Sequence, residues 1–180
     1  MQGDAKSIIA SWPEVAKKAA TEMLDKYGEP DGVTPMALIW KNRSPWACIV
    51  AAKEEFQHDF PMPHKDCLQH FVNYKVPADK FDDLAEFDGS IVVDRTPGYL
   101  SARCDSEAHN ILALNLAHEV ITGAKSVDEA RKAYGQAAMQ EKSGDMPEIM
   151  MSLQFDAATG GTGFPDKPMD MKDMKDKDKD

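Results

Sequence analysis

Residues 106–122 read SEAHNILALNLAHEVIT, and this stretch decides the fold. Ile111, Leu112, Leu114, Leu116, Val120 and Ile121 point in many directions round a helical wheel. A helix that is apolar nearly all round must be enclosed by other elements. Gly123 is its expected C-cap, since glycine takes the left-handed conformation at no steric cost. The spacing therefore predicts one central buried helix over about 106–122, with layers of structure around it.

The flanking sequence supplies those layers. Ser126-Val127-Asp128-Glu129 is a capping box opening a helix with Val127, Ala130, Tyr134, Ala137 and Ala138 on one face. Ser11-Trp12-Pro13-Glu14 reads as a second one, ahead of Val15, Ala16, Ala19, Ala20, Met23, Leu24 and Tyr27 at helical spacing. Gly28 and Pro30 stop that helix. The runs MALIW (Met36–Trp40) and WACIVAA (Trp46–Ala52) flank KNRSP and predict a hairpin. Neither alternates well, so it is expected to be buried on both faces. Residues 54–65 are expected to be irregular, because Pro61 and Pro63 forbid a regular helix. Leu68, His70, Val72, Tyr74 and Val76 alternate as a strand does. Pro77 starts a short helix expected to bury Phe81, Leu84 and Ala85, with Asp88-Gly89 ending it. Strands 90–94 and 99–103 flank Thr96-Pro97-Gly98, a type II turn signal. A last strand is expected over 150–155. This order predicts an α+β fold with a mostly antiparallel sheet packed with helices. The boundaries are a single globular domain over 11–156 and a disordered tail over 157–180, Gly/Pro-rich first and then Met/Asp/Lys-rich.

The formal net charge of −10 argues against nucleic acid and against anionic membrane surfaces as partners. No apolar run approaches the roughly 20 residues of a spanning helix. The opening MQGDAKSIIASW carries no basic start followed by an apolar segment, so a cytoplasmic protein is expected; the alternative is an exported mature form that has shed its signal. Cys48, Cys67 and Cys104 are odd in number and widely spaced, which fits free thiols better than a disulfide framework. Trp12, Trp40 and Trp46 read as core anchors. The letters leave the oligomeric state open.

Four strings stand out: HDFPMPHKD (58–66), FDGSIVVDRT (87–96), SARCDSE (101–107) and NILALNLA (110–117). Through them the chain resembles a family of small uncharacterised bacterial proteins, over roughly Trp12 to Phe155. The resemblance implies kinship and brings no reaction, cofactor or catalytic residue with it. Tyr99 and Leu100 stand where the pattern carries a Glu and a small or apolar residue.

The chemistry-bearing side chains concentrate in two places. HDFPMPHKDCLQH (58–70) holds three of the five histidines, and RCDSEAHN (103–110) follows. Zinc and related divalent ions take about four N, S or O ligands. His58, His64, Asp66 and Cys67 are the metal candidates, with His70, Cys104, Asp105 or His109 able to complete a shell. Against this, the spacing fits no zinc-finger rule, and a strand sends Cys67 and His70 to opposite faces. The plainer alternative has His58 and His64 bonding backbone in a proline-rich loop, with Cys67 a small core hydrophobe. Cys104 is the candidate nucleophile: a helix N-terminus and the Arg103 cation would both lower its pKa, whereas a buried cysteine is inert. Arg103, Asp105, Glu107, Asn110 and His118 are the ligand-binding candidates. Asp105 and Ser106 also read as caps, and a buried Asn110 or His118 needs a partner. The leading expectation is a domain that binds a small molecule or a partner protein between the 58–70 loop and the start of the 106–122 helix. The alternative is a divalent-metal-dependent enzyme using His58 and His64, with zinc as the type of cofactor. The second alternative is a thiol enzyme or redox sensor at Cys104. Whether the protein is an enzyme is left open.

Overall fold

The structure, a computed structural model, describes residues 4–170. The elements run α1 (Ala5–Ile9), α2 (Glu14–Tyr27), β1 (Gly32–Val33), β2 (Ala37–Arg43), β3 (Trp46–His58), β4 (His64–Asn73), α3 (Phe81–Phe87), β5 (Ile91–Asp94), β6 (Tyr99–Cys104), α4 (Glu107–Thr122) and α5 (Val127–Lys142). Short 3-10 turns occupy Ala78–Lys80 and Glu148–Met150. All six strands join one antiparallel sheet in the order β1-β2-β3-β4-β6-β5, and the fold is α+β. Among the described residues no helix is long and apolar enough to cross a membrane.

Register shows which face the helices cover. Leu38, Trp40, Ile49, Leu68, Leu100 and Ala102 are buried at matched positions across the strands. Their neighbours Ile39, Val50, Gln69 and Phe71 stay partly exposed. The hairpin therefore buries one face, not two as expected. WACIVAA reads as a continuous apolar run because Val50 and Ala52 are apolar yet occupy the half-exposed face. The strands are also longer than expected. β3 continues to His58 and β4 begins at His64, so most of 54–65 is strand and not irregular. Pro61 and Pro63 sit in the connecting turn, where a missing N–H breaks no ladder. A bulge between Ala51 and Phe56 absorbs the extra length of β3.

The central helix behaves as its composition requires. Every residue of α4 from Asn110 to Ala117 is buried, as is Val120. Ser106 caps its start, and Gly123 ends it at φ 77°. α4 lies on β6 and β4 and is enclosed by α3 and α5. The capping box of α5 forms as read. The one ahead of α2 does not: Pro13 is the N-cap residue, and Ser11 Oγ instead donates to Ile8 O at the end of α1. Ala5 and Ile9 of α1 are part of the core, so packing begins before residue 11. In α3 the buried residues are Leu84 and Phe87, with Ala85 outside. The strand expected over 150–155 is absent. The Asn115 side chain donates to Ile149 O and Ser152 O and accepts from Gln154 N, so it takes the bonds a strand neighbour would have made.

The segment after Ala157 also departs from expectation. Thr162 is buried, its hydroxyl donates to Gly98 O at 2.8 Å, and Phe164 N–H donates to Thr96 O at 3.1 Å. Residues 162–164 thus pack on the β5–β6 turn; the expected disordered stretch at 171–180 lies outside the described residues. Gly98 has φ 77°, and a Cβ there would meet the Thr162 carbonyl carbon at 2.2 Å. Its turn closes through Gly98 N–H to Asp94 O, one residue wider than a four-residue turn. Gly98→Ala is expected to cost about 2–4 kcal/mol, from left-handed backbone strain plus overlap. Thr162→Val removes one hydrogen bond and should cost about 1 kcal/mol. Urea unfolding of both variants checks the pair, and a Gly98→Ala loss no larger than that of Thr162→Val would mean the segment yields freely.

Candidate functional site

Three junctions meet at one end of the sheet. The β3–β4 hairpin brings His58 opposite His64 in register, with Asp66 two residues further along β4. The α3–β5 junction contributes Asp88 and Ser90. The β6–α4 junction contributes Cys104, Asp105 and His109, because Cys104 pairs with Leu68 on β4. The proline-bent turn and the start of the central helix therefore share one pocket. It has a volume of about 190 Å³, with Met62, His64, Cys104, His109, Tyr134 and Glu141 among its walls.

One ligand-capable atom from each of His58, His64 and Asp66 lies within 4.8 Å of the others. Asp66 is 1% exposed. Its Oδ1 is 3.1 Å from His64 Nε2, and its Oδ2 is 3.4 Å from His58 Nδ1. Neither approach is a hydrogen bond: His58 Nδ1 and Asp66 Oδ1 are buried and have no hydrogen-bond partner among the described residues. Cys104 Sγ lies 3.3 Å from the same His64 Nε2. The backs of these groups are held. His64 Nδ1 sits 2.9 Å from Met62 O, which can only accept, so Nδ1 carries a proton. Ser90 Oγ donates to Asp66 Oδ2, Ser90 N–H donates to Asp88 Oδ1 at 2.8 Å, and Asp88 Oδ1 stands 3.7 Å from His58 Nε2.

A second group adjoins the first. Cys104, Asp105 and His109 also place ligand-capable atoms within 4.8 Å of one another. Asp105 Oδ1 is 2.9 Å from His109 Nδ1 and 3.7 Å from Cys104 Sγ, and Glu141 Oε2 is 3.7 Å from His109 Nε2. Ser106 acts as the helix cap; Asp105 pairs with His109 instead of capping.

Electrostatics follow from burial. For His64, burial alone would lower the pKa; the Asp66 carboxylate and the Met62 carbonyl outweigh it and raise it. Burial raises the Asp88 carboxyl. Burial also opposes ionisation of Asp105, yet His109 holds its carboxyl below the usual range. The Cys104 thiol is pushed well up, first by burial and then by Asp105 and Asp66. The expected activation of Cys104 is thus reversed. Strand alternation sends Arg103 to the other face, where its guanidinium lies 4.9 Å from the Phe56 ring, and the nearest charges to the sulfur are carboxylates. Cys67 is a core residue outside both ligand groups, its thiol pushed up to about 12 by burial.

The remaining candidates serve the core. Glu107 accepts from Lys26, Tyr27 and Trp46 beside the sheet. Asn110 donates to Leu68 O and to His70 Nδ1, tying α4 to β4. His118 lies about three turns down α4, at 1.5 Å per residue. There it meets Tyr74 OH at 2.7 Å and stacks on Phe155. Asp88, Ser90, Tyr134 and Glu141 are site residues that sequence reasoning missed. Asp88 was hidden inside a helix-stop signal. Glu141 follows Tyr134 by seven residues, two helical turns on the same face, and that spacing could have found it. Comparison of the chain with protein-family models, with curated proteins and with solved structures finds no match.

The core network carries a pH signature. His70 is 0% exposed, and burial lowers its pKa from 6.5 to about 3. Between those values the unfolded chain binds a proton that the native chain refuses, so stability falls as pH drops through the window. Burial opposes ionisation of Glu107, but its three donors depress the folded pKa; that contribution is present above the unfolded value and lost as pH falls through the folded one. Both act in the same direction. Urea midpoints between pH 7 and pH 4 should show a decline that is shallower in His70→Gln, by up to about 1.4 kcal/mol per pH unit. Parallel declines would mean that His70 is not kept neutral.

Proposed function

We propose that the protein binds a divalent metal ion of the zinc class through His58, His64 and Asp66, and that a small molecule in the adjoining pocket reaches the ion at its open position. One observation carries this: two imidazole nitrogens lie 3.1 and 3.4 Å from the two oxygens of one buried carboxylate without hydrogen-bonding it. Ligands held at the usual ~2.0–2.1 Å from a tetrahedral ion stand about 3.3 Å apart, which matches. Ordinary ion pairing would have aimed an N–H at the oxygen. The Asp88 carboxylate beside His58 and the Met62 carbonyl on His64 are the outer partners that orient metal-bound imidazoles.

The arrangement also bears on the thiol alternative. A Cys–His–Asp relay uses both imidazole nitrogens, the acid on one and the nucleophile on the other. Here Asp66 and Cys104 approach the same nitrogen, Nε2, and Nδ1 is taken by a carbonyl. Convergence on one nitrogen suits a shared cation. Three protein ligands beside a pocket is the pattern of a site with a free coordination position, whether the occupant is only bound or also transformed. All three ligands fall within HDFPMPHKD, so bacterial chains sharing that string would hold the same ion.

Untagged protein from metal-replete medium is expected to carry at least about one ion per chain by elemental analysis; less than about one-tenth would overturn the proposal. His58→Ala/His64→Ala should lose one ion per chain. Resupplying metal to stripped protein at a hundredfold excess over Kd should add about 2.7 kcal/mol of stability. For a chain of this size that is a rise in Tm of about 5–10 °C. The double variant should lack this contribution.

A further inference from the structure

We propose that the pocket holds a second divalent ion, on Cys104, Asp105 and His109, so that the site is a two-metal centre. This rests on the metal-binding reading of the first site. The second set offers the same kinds of donor with a thiol added, its members joined by hydrogen bonds that an ion would replace. Asp105 Oδ1 lies 2.9 Å from His109 Nδ1 and 3.7 Å from Cys104 Sγ, and Glu141 stands behind His109 at 3.7 Å as Asp88 stands behind His58. The two sets touch: Cys104 Sγ is 3.3 Å from His64 Nε2. The 190 Å³ pocket is lined by His64 of the first set and by all three residues of the second.

Charge calls for the second ion independently of that geometry. Asp66, Asp88, Asp105 and Glu141 gather within the cluster, and among the described residues their recorded ion pairs are all with histidines and none with lysine or arginine. Asp66 and Asp88 are 1% and 4% exposed, and Asp66 Oδ1 has no hydrogen bond. Buried carboxylates need a cation close by. With the Cys104 thiolate formed on loading, these groups amount to five negative charges; two dications offset four of them and one offsets only two. The donors differ between the sets, with a thiolate in the second and none in the first. The second ion therefore takes a softer environment, and loading it releases the Cys104 proton to solvent.

Cobalt(II) titration of the stripped full-length protein tests this, because cobalt bound to thiolate gives a near-ultraviolet charge-transfer band and cobalt bound to imidazole and carboxylate does not. Wild type is expected to take two ions per chain, with the band. His109→Ala, and separately Asp105→Asn, should take one ion and lose the band. His58→Ala/His64→Ala should take one ion and keep it. One ion in wild type, unchanged in stoichiometry and band by His109→Ala and Asp105→Asn, overturns the second site and leaves the first standing, with Cys104 as its fourth ligand. A single ion in wild type that His58→Ala/His64→Ala still takes, with its band, overturns the first-site reading instead. Unchanged circular dichroism in each variant confirms that it folds.

Discussion

The enclosure of α4 is the constraint on which the rest of the molecule depends. A 16-residue helix buried along most of its length cannot face water on any side. It needs a sheet beneath it and helices beside it, and β4, β6, α3 and α5 provide them. Its polar residues are accommodated one by one. Glu107 gathers three donors, Asn110 bonds the β4 backbone and His70, and Asn115 pins the 149–154 segment. Each of these bonds sets the helix in register and rotation, since a buried polar group left unmet costs about 1–3 kcal/mol.

That placement creates the pocket. With α4 fixed on β4 and β6, its first turn arrives beside the β3–β4 hairpin, and α5 closes the far side. Imidazoles, carboxylates and a thiol are then crowded into a largely desolvated corner. The same burial that pushes the Cys104 thiol's pKa up is the physical basis of the metal-binding proposal. Low dielectric penalises each negative charge alone and rewards any arrangement that places a positive charge among them.

Much of the fold was legible. The helical wheel of 106–122, the Ser126 box and the alternation of Leu68, His70 and Val72 each follow local rules that survive into the structure. The misreadings share a cause. Apolar Val50 and Ala52 on the half-exposed face of β3 imitated two-sided burial. Prolines at 61 and 63 masked two strands that meet at a tight turn. The 150–155 run looked like a strand because its sequence cannot show that Asn115 satisfies its backbone. In each case a partner far along the chain decided the outcome.

The sequence by itself determined which residues carry chemistry: histidines, cysteine and acids clustered at 58–70 and 103–110, and one helix too apolar to be left uncovered. Tertiary structure alone decided which of them meet. Strand pairing set His58 across from His64, pleat alternation parted Arg103 from Cys104, and helical rise carried His118 out of reach. Composition and periodicity are properties of neighbours along the chain; a ligand set is a property of atoms a few ångströms apart in space, and only packing relates the two.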